Sequence, residues 1–259
     1  MSKKLILLDL DGTVIDTTTH QVPESAQRTI KALQAAGHIV AIATGRHPAH
    51  FFGIDKTLGI TSIIAANGRL VQVDGTVIHA NTMDHKIVDD FVKDMQDQGI
   101  DVGFESLHQY ALGSQNTPWP KAFHDHFNLG EAPVIADFHR HNPILQMVVF
   151  GDDLNVKKFS EQHPQLNFIR SCRFGLDVNT PGGLKEEGVD MLRKHHGITL
   201  EQVIAVGDGY NDIGMIRYAH IGIAMGNACD ALKEVADYVT DTATQDGLMK
   251  AFKHLKMID

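Results

Sequence analysis

Cysteine is nearly absent. Cys172 and Cys229 are the only two in 259 residues, and neither belongs to a CxxC pattern. That excludes a disulfide framework and a cysteine-built zinc site, and it fits a reducing compartment. Long apolar runs are missing too. The opening run Leu5-Ile6-Leu7-Leu8 is too short for a signal peptide or a membrane span, and no later run approaches the length a span needs. The expectation is a cytoplasmic protein with no membrane partner. Basic residues are outnumbered, 23 Lys and Arg against 32 Asp and Glu, for a formal net charge of -9. This argues against a nucleic-acid partner, which needs a basic surface, but it leaves room for a local basic site holding one phosphate. Internal repeats, low-complexity tracts and Pro/Gly/Ser linkers are also lacking. What remains is an ordinary globular composition, 43% hydrophobic and 21% charged, long enough for one large domain or two moderate ones.

Short apolar runs alternate with helical patterns. Leu5 to Leu8, Ile39 to Ala43, Ile63 to Ala66, Val203 to Val206 and Ile221 to Ala224 read as strands buried on both faces. Pro23-Glu24 opens a helix that places Ile30 and Leu33 on one face and stops at Gly37. Gly188 to His196 reads as another helix, ended by Gly197. Strand, helix, strand order predicts an α/β fold with a parallel sheet covered on both sides. Leu70 to Ile78, turning at Asp74-Gly75, predicts a β-hairpin. From about Met83 the pattern changes. A helix over Ile87 to Met95 is succeeded by strands near Val102 and Tyr110, a helix near Phe123 and a strand over Leu145 to Phe150. A helix near Val156 and strands near Phe168 and Leu176 complete an α+β insertion of about a hundred residues within the α/β domain.

The chemistry gathers at strand ends. Asp9-Leu10-Asp11-Gly12-Thr13 comes directly after the first strand. Ligands of parallel sheets bind beyond the carboxyl ends of the strands, and i,i+2 alternation turns two carboxylates to one side. Carboxylates held that close repel, and a hard divalent cation such as Mg²⁺ relieves the repulsion. Taken alone, the segment also reads as a solvated turn, since Asp and Gly dominate turns. Two further strand ends weigh against that. One ends in Thr44-Gly45-Arg46, a hydroxyl, backbone N–H groups and a cation; the other ends in Gly207-Asp208-Gly209-Tyr210-Asn211-Asp212.

These residues, in this order, resemble the haloacid dehalogenase (HAD) superfamily of phosphohydrolases, and within it the Cof-type subgroup with a large α/β cap. Asp9-x-Asp11-x-Thr13 matches its first motif, Thr44-Gly45-Arg46 the second, Lys185 the third, and Gly207-Asp208-x-x-Asn211-Asp212 the fourth. Ala224-Met225-Gly226-Asn227-Ala228 and Asp246-Gly247 also match stretches typical of the subgroup, and the likeness spans the chain. The resemblance implies a Rossmann-like core domain over residues 1–82 and 184–259, with an inserted specificity domain over 83–183. It further implies a phosphatase acting on a small phosphorylated metabolite. Asp9 would be the nucleophile, Asp11 the acid and base, and Lys185 the charge-compensating cation. Leu10, Gly12, Thr44, Gly45, Arg46, Lys185 and Asn211 would bind the phosphate. Asp9, Asp11 (through its backbone carbonyl), Asp208 and Asp212 would form the Mg²⁺ site. Passing the phosphoryl group to a sugar hydroxyl, or binding a metabolite without turnover, are the competing readings.

Some residues stay ambiguous in the sequence. Lys185 is flanked by Leu184 and Glu186 where the family often has a small residue and Gly, and by itself it reads as a surface lysine. Arg69, where relatives are often apolar, reads equally as facing the cleft or as an exposed cation. His124-x-His126 and His139-x-His141 would point their rings the same way on a strand, but without a supporting cysteine or HExxH pattern they read as ordinary surface or partly buried histidines. Phe51-Phe52 reads as packing. His108, Tyr110 and Trp119 are candidates for touching the leaving group.

Overall fold

The computed structural model describes residues 2–182 and 184–259. The chain divides into two compact units. The first comprises Met1–Gly45, Phe51–His79 and Leu184–Asp259, and the second Arg46–His50 and Ala80–Gly183. The five residues after Gly45 belong to the second unit although the strand before them, Ile39–Ala43, belongs to the first. Among the described residues no helix is long and apolar enough to cross a membrane.

The first unit is α/β. Its eight-stranded sheet runs in the order Tyr238–Val239, Ile221–Ala224, Val203–Gly207, Leu5–Leu8, Ile39–Ala43, Ser62–Ala65, Leu70–Val73, Thr76–Ala80. The first six strands are parallel, and Leu70–Val73 returns antiparallel to Ser62–Ala65. Leu5 to Leu8 are fully buried, as a strand covered on both faces requires. Register sets where the strands stop. Leu8 pairs with both Val206 and Ile42, so the three central strands end level. Their next residues emerge at one edge.

Helix Glu24–Ala35 starts after Pro23 and buries Ala26, Ile30 and Leu33 along one stripe; the chain turns out at Gly37, whose φ is +84°. Helix Lys185–His195 buries Val189 and Leu192. Glu186 and Glu187 in its first turn and Arg193, Lys194 and His195 in its last complement the helix dipole. The Asp74-Gly75 turn has φ of 51° and 76°, the two positive values of a type I′ hairpin.

The second unit is α+β. Its five-stranded antiparallel sheet has the order Tyr110–Leu112, Val102–Ser106, Ile144–Phe150, Gly175–Asn179, Asn167–Cys172. One face packs Phe104, Met147, Val149, Leu176 and Val178 against Phe91 and Met95 of helix His85–Asp97 and Phe159 of helix Val156–Gln162. Asp84 caps the first of these helices, accepting from the N–H groups of Lys86 and Ile87. Tyr110, Val148 and Phe150 pack with Phe123 of helix Trp119–Phe127 in a second cluster.

The histidine pairs lie on helices, not strands. His124 and His126 belong to helix Trp119–Phe127, and His139 and His141 to the short helix Phe138–His141. At about 100° per residue, i and i+2 diverge. His124 and His139 are buried while His126 and His141 are exposed. The Phe pair also splits: Phe51 is buried, whereas Phe52 is 61% exposed.

Candidate active site

Asp9 continues strand Leu5–Leu8 for one residue, its N–H donating to the Val206 carbonyl at 3.0 Å. That bond ties the first motif to the strand leading into the fourth. Asp208, one residue beyond strand Val203–Gly207, is gripped from two sides. Thr13 Oγ1 donates to its Oδ1 at 3.1 Å and Asn227 Nδ2 to its Oδ2 at 3.0 Å. Asn227 Nδ2 also donates to the Gly12 carbonyl at 3.0 Å. Gly12 has φ of +83°, and a Cβ there would lie 2.2 Å from Asp208 Oδ2. The glycine is therefore required twice, by its backbone and by the carboxylate against it.

Asp212 Oδ2 accepts from the N–H groups of Asp208 and Gly209, at 3.0 and 2.9 Å, and so holds its own loop in shape. Its Oδ1 accepts from Lys185 Nζ at 2.6 Å, and Lys185 Nζ also donates to Asp9 Oδ1 at 2.8 Å. The lysine that reads in sequence as a surface residue is 1% exposed and bridges two buried carboxylates. Carboxylate oxygens of Asp9, Asp208 and Asp212 come within 4.8 Å of one another.

The electrostatics stem from one ammonium among several carboxylates. Burial drives the Asp9 carboxyl well above its usual range; Lys185 opposes this, and Asp212, Asp208 and Asp11 add to it. Burial and then Asp212 push Asp208 up to about 7, against the Thr13 hydroxyl bond and Lys185. Burial alone would lower the Lys185 pKa, but Asp212 and Asp9 reverse that and raise it. Lys185 therefore stays charged, and the site is short of positive charge. A donor set of clustered carboxylate oxygens with unmet negative charge fits a hard divalent cation.

The remaining sequence candidates take various places. Asp11 is half-buried, and its carboxylate lies outside the Asp9–Asp208–Asp212 trio. Leu10 is buried, and its carbonyl accepts from the N–H groups of Thr13, Val14 and Ile15. The Gly12 N–H is donated to the Ile15 carbonyl at 2.8 Å, which leaves its lack of a side chain as its contribution. Thr44 is buried at the end of strand Ile39–Ala43, its N–H donating to the Ile64 carbonyl at 2.9 Å. Gly45 lies against the amides of Asn67 and Asn211. The Arg46 guanidinium packs in the second unit, donating to the carbonyls of His50 at 2.8 Å and Phe127 at 3.3 Å. Arg69 is an exposed cation in no sense: it is 0% exposed, and burial lowers its pKa to about 10 against the pull of Glu187.

The comparisons with known proteins settle the family. The profile of haloacid dehalogenase-like hydrolases matches residues 6–252. The chain is a haloacid dehalogenase-like hydrolase. YkrA of Bacillus subtilis (strain 168), a putative phosphatase by name, is 32% identical over 266 residues, covering all of both chains. YcsE of the same organism, a 5-amino-6-(5-phospho-D-ribitylamino)uracil phosphatase, is 29% identical over 259 residues, covering 97% of this chain and 95% of its own. The solved structure of the HAD subclass IIB sugar phosphatase BT4131 superposes with a TM-score of 0.90 at 31% identity, covering 99% of this chain and 100% of that one. This haloacid dehalogenase-like hydrolase is of the Cof type and is a phosphoric monoester hydrolase. Thr13, Asn227 and Asn67 belong to the site without being among the sequence candidates for it. Thr13 and Asn227, the two groups gripping Asp208, stand in motifs of the family and were findable there. Asn67 takes its place through tertiary contacts with Thr44 and Asn211.

Proposed function

We propose that this enzyme is a Mg²⁺-dependent phosphatase of small phosphorylated metabolites, sugar phosphates or similar compounds, and that Asp9 is its covalent nucleophile. The observation carrying the reading is the Lys185 ammonium, held between Asp9 and Asp212 beside the Asp208 carboxylate. Asp9, Asp208 and Asp212, with the backbone carbonyl of Asp11, would hold the cation. When bound, Mg²⁺ supplies charge neutralisation and orients phosphoryl oxygens.

The chain's own residues do the rest. An Asp9 oxygen attacks phosphorus, the bond from phosphorus to the ester oxygen breaks, and Asp11 gives that oxygen its proton. Water then attacks the aspartyl-phosphate, Asp11 takes a proton from it, and inorganic phosphate leaves with Asp9 restored. Lys185 draws the free Asp9 oxygen away from in-line attack and offsets charge that develops on the phosphoryl group. Thr44, Gly45 and Asn211 bind the phosphate. Of the second-unit candidates, Tyr110 is buried and hydrogen-bonded to His124 Nε2 at 2.8 Å and Trp119 stacks on Phe174 with centroids 6.3 Å apart, while His108 is exposed. Two well-separated free cysteines fit work in the reducing cytoplasm.

Phosphate release from a panel of phosphorylated metabolites, with Mg²⁺ and with chelator, tests the reading. Release is expected only with the metal, and Asp9→Ala is expected to lose at least about a thousandfold in kcat. Release that survives Asp9→Ala overturns the covalent role, and release unaffected by chelator overturns the metal.

A further inference from the structure

The short segment Ala66–Gly68 comes after strand Ser62–Ala65 and has a strained backbone. Ala66, Asn67 and Gly68 all have positive φ, at 48°, 54° and 102°. An alanine in that region is uncommon, and three such residues in succession persist only where their surroundings hold them there. The surroundings are three segments of the candidate active site. Asn67 is 2% exposed, and its N–H donates to the Thr44 carbonyl at 3.1 Å. Its Oδ1 accepts from Asn211 Nδ2 at 2.9 Å. A Cβ on Gly45 would lie 3.1 Å from Asn67 Oδ1 and 3.4 Å from Asn211 Nδ2, so the two amides lie together against the Gly45 backbone. On the other side of the turn, a Cβ on Gly68 would lie 2.2 Å from the Leu184 carbonyl oxygen and 2.8 Å from the Lys185 nitrogen. The turn is thus in backbone contact with the start of the Lys185 helix.

We propose that Asn67 is a positioning residue for phosphoryl transfer, joining the Thr44–Gly45 loop to the Asn211 amide within a turn packed against the start of the Lys185 helix. The proposal rests on the phosphatase reading. Thr44, Gly45, Asn211 and Lys185 come from three widely spaced parts of the chain, and each motif fixes only its own local geometry. Asn67 uses main chain for one and side chain for another. Asparagine suits the position because it tolerates the left-handed backbone and still offers a neutral amide oxygen. The oxygen orients Asn211 without placing a negative charge beside a phosphate site.

The test is a double-mutant cycle of Asn67→Gly and Asn211→Ala. Glycine keeps the left-handed conformation and removes the amide. Each single variant is expected to lower kcat about tenfold, with KM changed less than about threefold and thermal stability nearly intact. The double variant is expected to be no slower than the slower single one, because the two act as a unit. The same cycle is read without turnover, as the affinity for inorganic phosphate by calorimetry, where the losses should again fail to add. Asn67→Ser takes the glycine variant's place if that variant does not fold. Losses that multiply, or a kcat unchanged by removing the Asn67 amide, overturn the positioning role. An inactive wild type whose phosphate-binding cycle still shows coupling counts against the phosphatase reading and leaves the positioning role standing. Additive losses in an active enzyme count against Asn67 alone.

Discussion

Each unit buries a row of polar groups, and the two rows are built on different principles. In the first unit charges answer charges: Lys185 sits between Asp9 and Asp212, with Asp208 alongside. In the second, neutral amides carry the row across the sheet. Asn179 Nδ2 donates to Gln146 Oε1 at 2.9 Å, and Gln146 Nε2 donates to Glu105 Oε2 at 3.2 Å. No cation offsets Glu105 among the described residues; burial first and Asp177 second drive its carboxyl well above the usual range, and the Gln146 bond only partly opposes them. The first arrangement comes from the level ends of parallel strands, the second from register across antiparallel ones, where Glu105 pairs with Gln146. Charge density marks the row proposed to do chemistry; an amide ladder satisfies buried groups without it.

The sharpest way to break this contrast is to remove the cation. Lys185→Met leaves Asp9 and Asp212 buried and uncompensated, and should cost about 3–5 kcal/mol of stability in the presence of chelator, along with most activity. Denaturant unfolding and phosphate release measure both. A loss confined to activity would mean that the carboxylates reach solvent or protonate freely.

Next in size is an acid sensitivity in the second unit. Burial lowers His47 to about 4, and burial with His47, His124 and Arg46 nearby lowers His50 to about 3. Their folded pKa values lie below the unfolded value, so the unfolded chain binds more protons across that interval and stability falls as the pH drops from about 6.5 towards 3. The carboxyl of Glu105 works in the opposite direction, losing a penalty as it protonates. The loss is at most about 3 kcal/mol for His47 and about 5 kcal/mol for His50. Trp119, the only tryptophan, lies in this unit, so its fluorescence during denaturant unfolding at stepped pH reports on it. His50→Phe should flatten the profile; an unchanged slope would place the acid sensitivity elsewhere.

The smallest effect is expected from Glu105→Gln. An amide of the same shape cannot ionise, so the variant should lie within about 1 kcal/mol of wild type near pH 4 and gain relative to it as the pH rises. A destabilisation that grows with pH would show that the Glu105 carboxylate is held charged by a partner in the fold.

The two units also differ in how much of them is legible in the chain. Runs of apolar residues and Asp-Gly or Gly punctuation locate the strands, the hairpin and both flanking helices of the first unit to within a few residues, because burial on both faces and positive φ leave local marks. The second unit's elements are legible too, but not its histidines. A strand's period of two would point His124 and His126 the same way, whereas the helix turns one inward and the other to solvent. Arg69 is undecided between cleft and surface in the sequence because nothing local announces a buried arginine, and its company with Glu187 depends on a helix more than a hundred residues away.

By itself the sequence determined which chemical groups exist, their order, and that three of the four motifs sit just past strands, since a strand end is a local property and each motif carries its own spacing. It could not determine that Lys185 is buried between Asp9 and Asp212, that Asn227 and Thr13 hold Asp208, or that Asn67 links Thr44 to Asn211. Those are decided by tertiary structure. The register that levels Leu8 with Val206 and Ile42 brings together residues up to about two hundred positions apart, and only then do Coulomb attraction, repulsion and burial act among them.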